Sequence, residues 1–340
     1  MAPDRDLLVG LARVLTEAPR RWAGWEMLAA TGVRGLRVLN ESDLLGSLLL
    51  TERHPAALEV LRENASPYSA RGARVLPSDA RVPPEGPPFD WVDLDPYGSP
   101  VPFGAALLRA TRPGGLVSVA ATDLRVLAGA DRPACERRYG ARPLSGRLGP
   151  EGGLRILIGW VAREAAKHRQ GVRPIVAYVR DYHVRAYLRL TAAPAGPAEV
   201  GTIDPSEFSG PGLPGPGPFG PMWLGPLMDP DVVGRIRVPS TAEEPSEVER
   251  FLGRLRGEAA IDAPFFFEPN ELARSLRLPE PPRLEPLLDL LRGQGWGAAR
   301  THARDGAFRT TAPRDEVERL AREAARASGR TQSQKARVRA

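Results

Sequence analysis

Short apolar runs alternate with helical patterns along the first 190 residues of the chain. Leucine and valine at helical spacing predict a first helix over residues 6–18. Apolar runs predict strands at 25–30, 47–51, 73–76, 89–94 and 115–121. Helical patterns cover 55–64, 102–112 and 155–169, and a β-hairpin is expected at 174–180 and 184–190. Strands that alternate with helices predict an α/β fold with a mostly parallel sheet covered on both faces.

The pattern changes near residue 191. Proline and glycine crowd the segment 191–225, which cannot propagate a helix or an inner strand and is predicted to connect two domains. Beyond it, helical patterns at 247–256, 270–278 and 284–294 precede two short strands at 296–303 and 307–311. A charged amphipathic helix from residue 315 leads into the basic end SGRTQSQKARVRA, which is expected to fray. The predicted organisation is a first domain at 1–225, a second at 226–315 and a basic tail at 316–340.

Charge and cysteine content narrow the class of protein. The 340 residues carry 47 basic and 41 acidic side chains, a net charge of +6, which suits a polyanionic partner or simply reflects an arginine-rich genome. The single cysteine, Cys135, excludes a disulfide framework and a multi-cysteine zinc site, and it is expected to be buried. The four histidines are expected at surface or capping positions: His54, His168, His183 and His302. With neither a signal sequence nor an apolar run of about 18 residues, a soluble cytoplasmic protein is expected.

Unusual polar residues follow each of the first four predicted strands. In an open α/β sheet, ligands bind at the carboxyl ends of the strands. The first strand is followed by ATGVRG, with Thr31 and Gly32 in the turn, and the second by Glu52, an acid placed to bind ribose hydroxyls. Asp79-Ala80 follows the third, where the acid can accept from an adenine amino group. Each feature alone is weak, but four in order predict a nucleoside site.

The sequence also restricts which nucleoside fits. The matches to G-x-G-x-x-G fall inside the proline-rich segment GPGLPGPGPFG, where no helix can begin, and there is no phosphate-binding Lys-Ser/Thr loop. A nucleoside without phosphates fits better than a dinucleotide or a nucleoside triphosphate. S-adenosylmethionine is such a ligand, and it is the expected cofactor.

The fourth strand ends in Asp95-Pro96-Tyr97-Gly98. The exocyclic amino group of a nucleobase is a poor nucleophile, because its lone pair is delocalised into the ring. The Asp95 carboxylate and the Pro96 carbonyl can accept its two hydrogens and draw the lone pair out of conjugation. Tyr97 offers a ring on which a flipped base can stack, worth roughly 1–3 kcal/mol. The pattern therefore predicts methyl transfer to a base amino group, although an ordinary Asp-Pro turn would read the same way.

The run DLDPYGSPVPF resembles the signature of the tRNA (guanine-26) dimethyltransferases, which methylate the amino group of a guanosine at the tRNA hinge. Further segments are similar to the same family: PDRDL, EMLAATGVRGLR, ATDLRVLAG with CERRYGARP, LRILIGWVAREAAKH, DYHVRAYLRL, GPMWLGPLMD and LLRGQGWGAARTHARDGAFRTTAP. The resemblance extends over about residues 3–313.

The resemblance implies a Rossmann-like class I methyltransferase domain followed by a smaller α+β C-terminal domain that helps to hold tRNA. It implies that Asp95 is the catalytic residue, acting with Pro96, and that Tyr97 stacks on the guanine. The residues expected to contact S-adenosylmethionine are Arg5, Thr31, Gly32, Arg34, Arg37, Glu52, Asp79 and Ala80. The expected reaction adds one or two methyl groups to the N2 amino group of guanine 26 of tRNA, without an obligate protein partner.

The chain departs from the family pattern in three places. It begins just before PDRDL, so the aromatic N-terminal segment that helps to close the base pocket is expected to be missing. The family's acids in the first strand and after the second are Glu26 and Glu52 here. The family's four-cysteine zinc cluster is replaced by PGLPGPGPFGP, so no metal is expected. Two alternatives stay open: an amino-group methyltransferase acting on DNA adenine or ribosomal RNA guanine, and a tRNA-binding or folding protein without catalysis.

Overall fold

The computed structural model describes residues 2–16, 20–194, 196, 199–204 and 217–339, and the side chains within these ranges except those of residue 2 and residues 327–339. The centre of the predicted connection, 205–216, and the side chains of the basic end therefore lie outside the described residues. The helices are α1 Ala2–Leu15, α2 Val33–Glu41, α3 Pro55–Ala65, α4 Gly104–Ala110, α5 Leu124–Leu127, α6 Arg132–Tyr139, α7 Gly149–Ala166, α8 Pro230–Arg235, α9 Pro245–Ala259, α10 Pro269–Leu276, α11 Leu284–Gly293 and α12 Arg314–Arg339.

A seven-stranded sheet forms the centre of the molecule and confirms the α/β class. Its strands are β1 Trp22–Glu26, β2 Leu45–Glu52, β3 Ala73–Pro77, β4 Phe89–Leu94, β5 Thr111–Ala121, β6 Gly171–Arg180 and β7 His183–Thr191. The spatial order is β3-β2-β1-β4-β5-β7-β6; β1 to β5 are parallel, and β7 is antiparallel to both its neighbours. The carboxyl ends of β1 to β6 therefore meet at one edge, together with the start of β7.

The largely buried helix α7 explains how the proline-rich segment rejoins the core. Its sequence is apolar on nearly every face, and it packs between the sheet and β9 (Phe219–Trp223), which pairs with β8 (Val200–Ile203). A Cβ on Gly159 would lie 3.0 Å from backbone atoms of Met222. This contact is tighter than side chains usually allow, so glycine lets β9 approach the helix closely.

The hydrophobic residues form two cores. The larger core covers both faces of the seven-stranded sheet and includes α8 and α9, through residues such as Val232 and Leu252. The smaller core lies within residues 267–324, here called the C-terminal module, where α10, α11 and α12 pack against β10 (Ala298–Arg300) and β11 (Phe308–Thr310). The strands β10 and β11 pair antiparallel, which confirms the two short strands predicted there.

A buried ionic network joins α7 to the C-terminal module. Arg309 donates two hydrogen bonds to the Glu151 carboxylate, at 3.0 and 2.9 Å, and a third of 3.3 Å to Glu258. Arg155 of α7 also donates to Glu151, with its Nε 2.9 Å from Glu151 Oε1. Burial would raise the pKa of Glu151, but Arg309 and Arg155 lower it to about 2. Since all members are almost fully buried, removing one would leave an uncompensated charge.

His302 extends this network and corrects an expectation from the sequence. The Val179 N–H donates to His302 Nε2 over 3.1 Å, so the ring proton lies on Nδ1, which donates to Glu258. The expectation of a surface or capping position is therefore wrong for His302, and also for His183, which is largely buried beside Asp4. Cys135 is buried as predicted, and burial raises the pKa of its thiol to about 12.

Several predicted boundaries also differ from the structure. The first strand spans Trp22–Glu26 rather than 25–30, because the apolar run after Glu26 forms the turn into α2. Residues 111 and 112 begin β5 instead of ending the preceding helix, and α7 begins at Gly149, six residues before its prediction. The last helix continues to Arg339. Among the described helices, none is long and apolar enough to cross a membrane.

Candidate active site

Two carboxylates at the end of β4 are held by two buried arginines. Asp93 lies inside the strand, and Asp95 follows its last residue. Arg185 of β7 bridges them, with Nη1 2.9 Å from Asp93 Oδ1 and Nη2 2.8 Å from Asp95 Oδ2. Arg34 of α2 approaches from the other side, with Nη2 2.5 Å from Asp95 Oδ2 and Nε 3.8 Å from Asp93 Oδ2. The Ser118 hydroxyl donates to Asp93 as well. Asp95 is thus fixed while a quarter of its side chain stays exposed.

The environment moves the pKa values of neighbouring carboxyl groups in opposite directions. Burial would raise the pKa of Asp95, but the cations Arg185 and Arg34 hold it below its usual value. Glu26, at the end of β1, is fully buried close to Asp93, and burial raises its pKa to about 8. At pH 7, Asp95 is therefore ionised and Glu26 is mainly protonated. Two buried arginine cations therefore face the side chains of Asp93 and Asp95.

The turn from β1 to α2 and the first turn of α2 allow the helix to pack closely on the end of β1. Ala30 and Gly32 have φ values of 48° and 72°, and the Gly32 position begins α2. Gly35 donates its N–H to Glu26 Oε2 over 3.0 Å, and a Cβ on it would lie 2.6 Å from that oxygen. Only glycine therefore lets Glu26 lie under the helix. Thr31 is exposed at the turn, and its carbonyl accepts from Asn64.

The ends of β2 and β3 carry the other acids predicted from the sequence. Glu52 accepts backbone N–H groups from Ala30 at 3.1 Å and from residues 53 and 54 at 2.8 Å. Asp79 binds Arg81, which holds the pKa of that carboxyl well below its usual range. Ala80 beside it is buried. The structure therefore brings the turn after β1, Glu52, Asp79 and Asp95 to one edge of the sheet, in strand order.

The loop after Asp95 presents an aromatic ring to solvent. Pro96 is buried, whereas the Tyr97 side chain is 104% exposed, the highest value among the exposed large hydrophobic side chains of the described residues. Gly98, with φ of 99°, donates its N–H to Thr122 Oγ1 at 2.7 Å and accepts from the Thr122 N–H at 3.1 Å. The loop backbone is thus fixed to the end of β5, and the tyrosine ring remains available for a ligand.

Two predicted arginines lie on helices beside this edge. Arg5 is on α1 and is partly buried. Arg37 is on α2, one turn beyond Arg34, where it binds Asp6 at 2.7 Å and Glu41 at 2.6 Å. These partners raise the pKa of Arg37 above its ordinary value, with Glu41 as the main cause. Arg37 therefore ties α2 to α1.

The sequence analysis did not predict Arg185, although this residue of β7 binds Asp95 directly. The signal was present, because a single arginine stands in the middle of the apolar run VRAYL. A buried charge of this kind requires a partner. The pairing could not be predicted, since Asp95 and Arg185 are 90 positions apart and meet only when β7 inserts antiparallel beside β5.

The residues present at this edge fit an S-adenosylmethionine ligand. Arg34 Nη1 is buried and has no hydrogen-bond partner within the described part of the chain, so a ligand group can satisfy this donor. Glu52 and Asp79 provide acceptors at successive strand ends. Across the described ranges, no group of three or more His, Cys, Asp or Glu side chains is arranged to hold a metal ion.

The chain is similar to known proteins over most of its length. The family model described as N2,N2-dimethylguanosine tRNA methyltransferase matches residues 1–202 and 216–322. The tRNA (guanine(26)-N(2))-dimethyltransferase of Thermococcus kodakarensis is 36% identical, over 92% of this chain and 89% of that protein. Its counterpart in Methanoregula boonei is 34% identical, over 92% and 87%. The structure of Trm1 from Pyrococcus horikoshii with S-adenosyl-L-methionine superposes with a TM-score of 0.84 at 28% identity, over 94% of this chain and 92% of that one.

Proposed function

Because the chain belongs to the N2,N2-dimethylguanosine tRNA methyltransferase family, we infer that it transfers methyl groups from S-adenosyl-L-methionine to the N2 amino group of guanine in tRNA. The relatives' names specify guanine 26 and dimethylation, and this chain is a tRNA N2,N2-dimethylguanosine-forming enzyme of the same kind. The structural observation that supports this assignment is Asp95, which is partly exposed and ion-paired to two arginines, beside the exposed ring of Tyr97.

We propose that Asp95 and the carbonyl of Pro96 accept the two hydrogens of the guanine amino group, with Tyr97 stacked on the base. The ionised state of Asp95 supports this role, since only the carboxylate is a strong acceptor. The amino nitrogen gains positive charge as it acquires a carbon, and the carboxylate stabilises that charge. The proton lost from nitrogen passes to Asp95 or to solvent. No covalent enzyme intermediate is required.

S-adenosylmethionine, when bound, supplies a methyl group on a sulfonium, whose leaving group is a neutral thioether. We propose that the residues holding it are Arg5, Thr31, Gly32, Arg34, Glu52, Asp79 and Ala80. Five of them, Thr31, Gly32, Glu52, Asp79 and Ala80, converge at the ends of three adjacent strands, which supports this set. Arg34 lies at the start of α2 beside them, and Arg5 lies on α1. Arg37, expected in the same set, is bound to Asp6 and Glu41, so we propose that it positions α1 and Arg5 beside the pocket.

The rest of the proposal concerns the binding of tRNA and the place where the protein acts. The net charge of +6 favours a polyanion, and we propose that residues 226–315 help to hold the tRNA while the basic end adds non-specific attraction. We also propose that the protein acts in the cytoplasm, as expected from the sequence.

The test is methyl transfer from labelled S-adenosylmethionine to two transcripts of one tRNA, one with guanosine and one with adenosine at position 26. Label in the first alone, recovered as N2-methyl- and N2,N2-dimethylguanosine, is the expected result. Equal label in both would move the target elsewhere. Absence of label with tRNA still bound would favour a binding protein without catalysis.

A further inference from the structure

A second exposed tyrosine lies at the tip of the hairpin formed by β6 and β7. Arg180 pairs with His183, which leaves Asp181 and Tyr182 as a two-residue turn. The Tyr182 side chain is 86% exposed, and among the exposed large hydrophobic side chains described only Tyr97 exceeds it. Two tyrosine rings that face solvent are thus the most exposed of this class.

The base of this hairpin is anchored in the candidate active site. Three residues after the tip, Arg185 binds Asp93 and Asp95, and His183 Nε2 lies 3.2 Å from Asp4 Oδ1. These buried contacts fix the position of the turn relative to Asp95, so Tyr182 is held on a rigid element.

Strand register places the two tyrosines at the same edge of the sheet. Leu94 of β4 pairs with Val119 of β5, which pairs with Ala186 of β7. Since β7 starts where β4 ends, Tyr97 and Tyr182 both extend beyond this edge from strands separated by one strand. Two strand spacings correspond to roughly 10 Å, a distance that neighbouring nucleotides of one RNA strand can span.

Tyrosine has no conformational role at the tip of a two-residue turn. Glycine, asparagine and aspartate favour such positions because they tolerate a positive φ, and Asp181, with φ of 48°, already fills that need. With little of its surface buried, Tyr182 contributes little to packing. A role towards a ligand explains the exposed ring better than a role in the fold.

The turn also borders a groove of about 770 Å³ that carries cations. Arg180 stacks on Phe251 at 5.1 Å from the ring centre, and Arg250 and Arg254 of α9 lie further along the groove with Arg304. Four arginines face three carboxylates in its lining. A strand that passes from Tyr97 over Tyr182 would enter this groove, where guanidinium groups can bind phosphates.

We propose that Tyr182 is a substrate-binding residue that stacks on a nucleobase of the tRNA at the target nucleotide or directly beside it. The inference rests on the proposed function, since it takes tRNA as the substrate. Tyr97 and Tyr182 then form two aromatic surfaces on either side of the reacting carboxylate. Stacking on an aromatic side chain tolerates any base and contributes roughly 1–3 kcal/mol per base.

The experiment compares Tyr182→Ala and Tyr182→Phe with the unchanged protein, using a tRNA transcript with guanosine at position 26. We expect Tyr182→Ala to raise the KM for tRNA about 5- to 150-fold, the change that this stacking energy corresponds to, with KM for S-adenosylmethionine unchanged. Tyr182→Phe keeps the ring and should retain normal values. Val60→Ala, which removes an exposed apolar side chain on α3, is the matched control.

A crosslink provides the second readout. With p-benzoylphenylalanine at position 182, we expect photocrosslinks to nucleotide 26 or an adjacent nucleotide of the tRNA. A crosslink confined to distant nucleotides, or an unchanged KM for tRNA in Tyr182→Ala, would overturn the proposal while leaving the methyltransferase function intact. A failure of the proposed function itself is distinguishable, because the unchanged protein would then not label the transcript.

Discussion

Arg185 balances the buried charge of the active site, and its removal should have a measurable cost. In the native cluster, Arg34 and Arg185 face Asp93 and the ionised Asp95, while Glu26 is mainly protonated at pH 7. Substituting Arg185→Met keeps the length of the side chain but leaves one buried negative charge in excess. Breaking a buried ion pair in this way costs about 3–5 kcal/mol. We expect a loss of that size in the free energy of unfolding at pH 8.

The pH dependence gives the sign of the effect. Arg185 is the main cation that holds the pKa of Asp95 below its usual value, so its loss raises the pKa of Asp95. Stability contributed by a carboxyl group with a lowered pKa is present at high pH and is lost as pH falls through that pKa. The deficit of the variant should therefore be largest at pH 8 and smaller at pH 5, where protonation neutralises the excess charge.

Urea unfolding followed by tryptophan fluorescence from pH 5 to pH 8 measures the deficit. Arg189→Met is the control on the same strand, because Arg189 stacks on Trp22 and donates to the Gly114 carbonyl. Its loss should cost about 1 kcal/mol without pH dependence. The acid limb of methyl transfer should also move to higher pH in Arg185→Met alone, since protonated Asp95 is a poor acceptor. Equal losses in both variants at every pH would refute the charge-balance argument.

Three further predictions concern other parts of the site and network. Asp95→Asn should lower methyl transfer by a factor on the order of a hundred or more while calorimetry still detects S-adenosylmethionine binding; retained activity would exclude the assigned role. Gly35→Ala places a Cβ 2.6 Å from Glu26 Oε2, so calorimetry should show weaker cofactor binding, by about 1–3 kcal/mol; unchanged affinity would show that the turn relaxes. His302→Leu leaves the Val179 N–H and Glu258 without this partner, and should lower the free energy of unfolding by about 1–3 kcal/mol, against no change for the exposed His168→Leu.

The sequence predicts those parts of the fold that depend on local pattern. Residues 89–94 read as a strand and form one, because a strand covered on both faces is mostly apolar, and here only Asp90 and Asp93 interrupt the apolar run. The first strand is predicted too late in the chain, because the apolar run after Glu26 gives no sign that the turn containing Thr31 and Gly32 already begins at residue 27. Local pattern does not distinguish an apolar strand from an apolar turn, and the distinction depends on pairing with β2.

The candidate site shows the same division between local and distant information. The order of acids at successive strand ends was readable, because the topology of an α/β sheet collects them at one edge. The partners of those acids were not readable, because Arg185 and the Glu151–Arg309 pair join positions far apart in the chain. His302 was misjudged for this reason, since its partners Val179 and Glu258 lie on two other elements.

The network around Glu151 links the position of the C-terminal module to that of Asp95. Arg309 connects the module to the first turn of α7, and α7 packs against β6 and β7. Arg185 of β7 in turn binds Asp95. If the module holds the tRNA, the distance between the bound part of the RNA and Asp95 is constant. The nucleotide that is modified would then be selected by how far it lies from the gripped part of the RNA, and the identity of its neighbours would matter less than the number of base pairs between the two points.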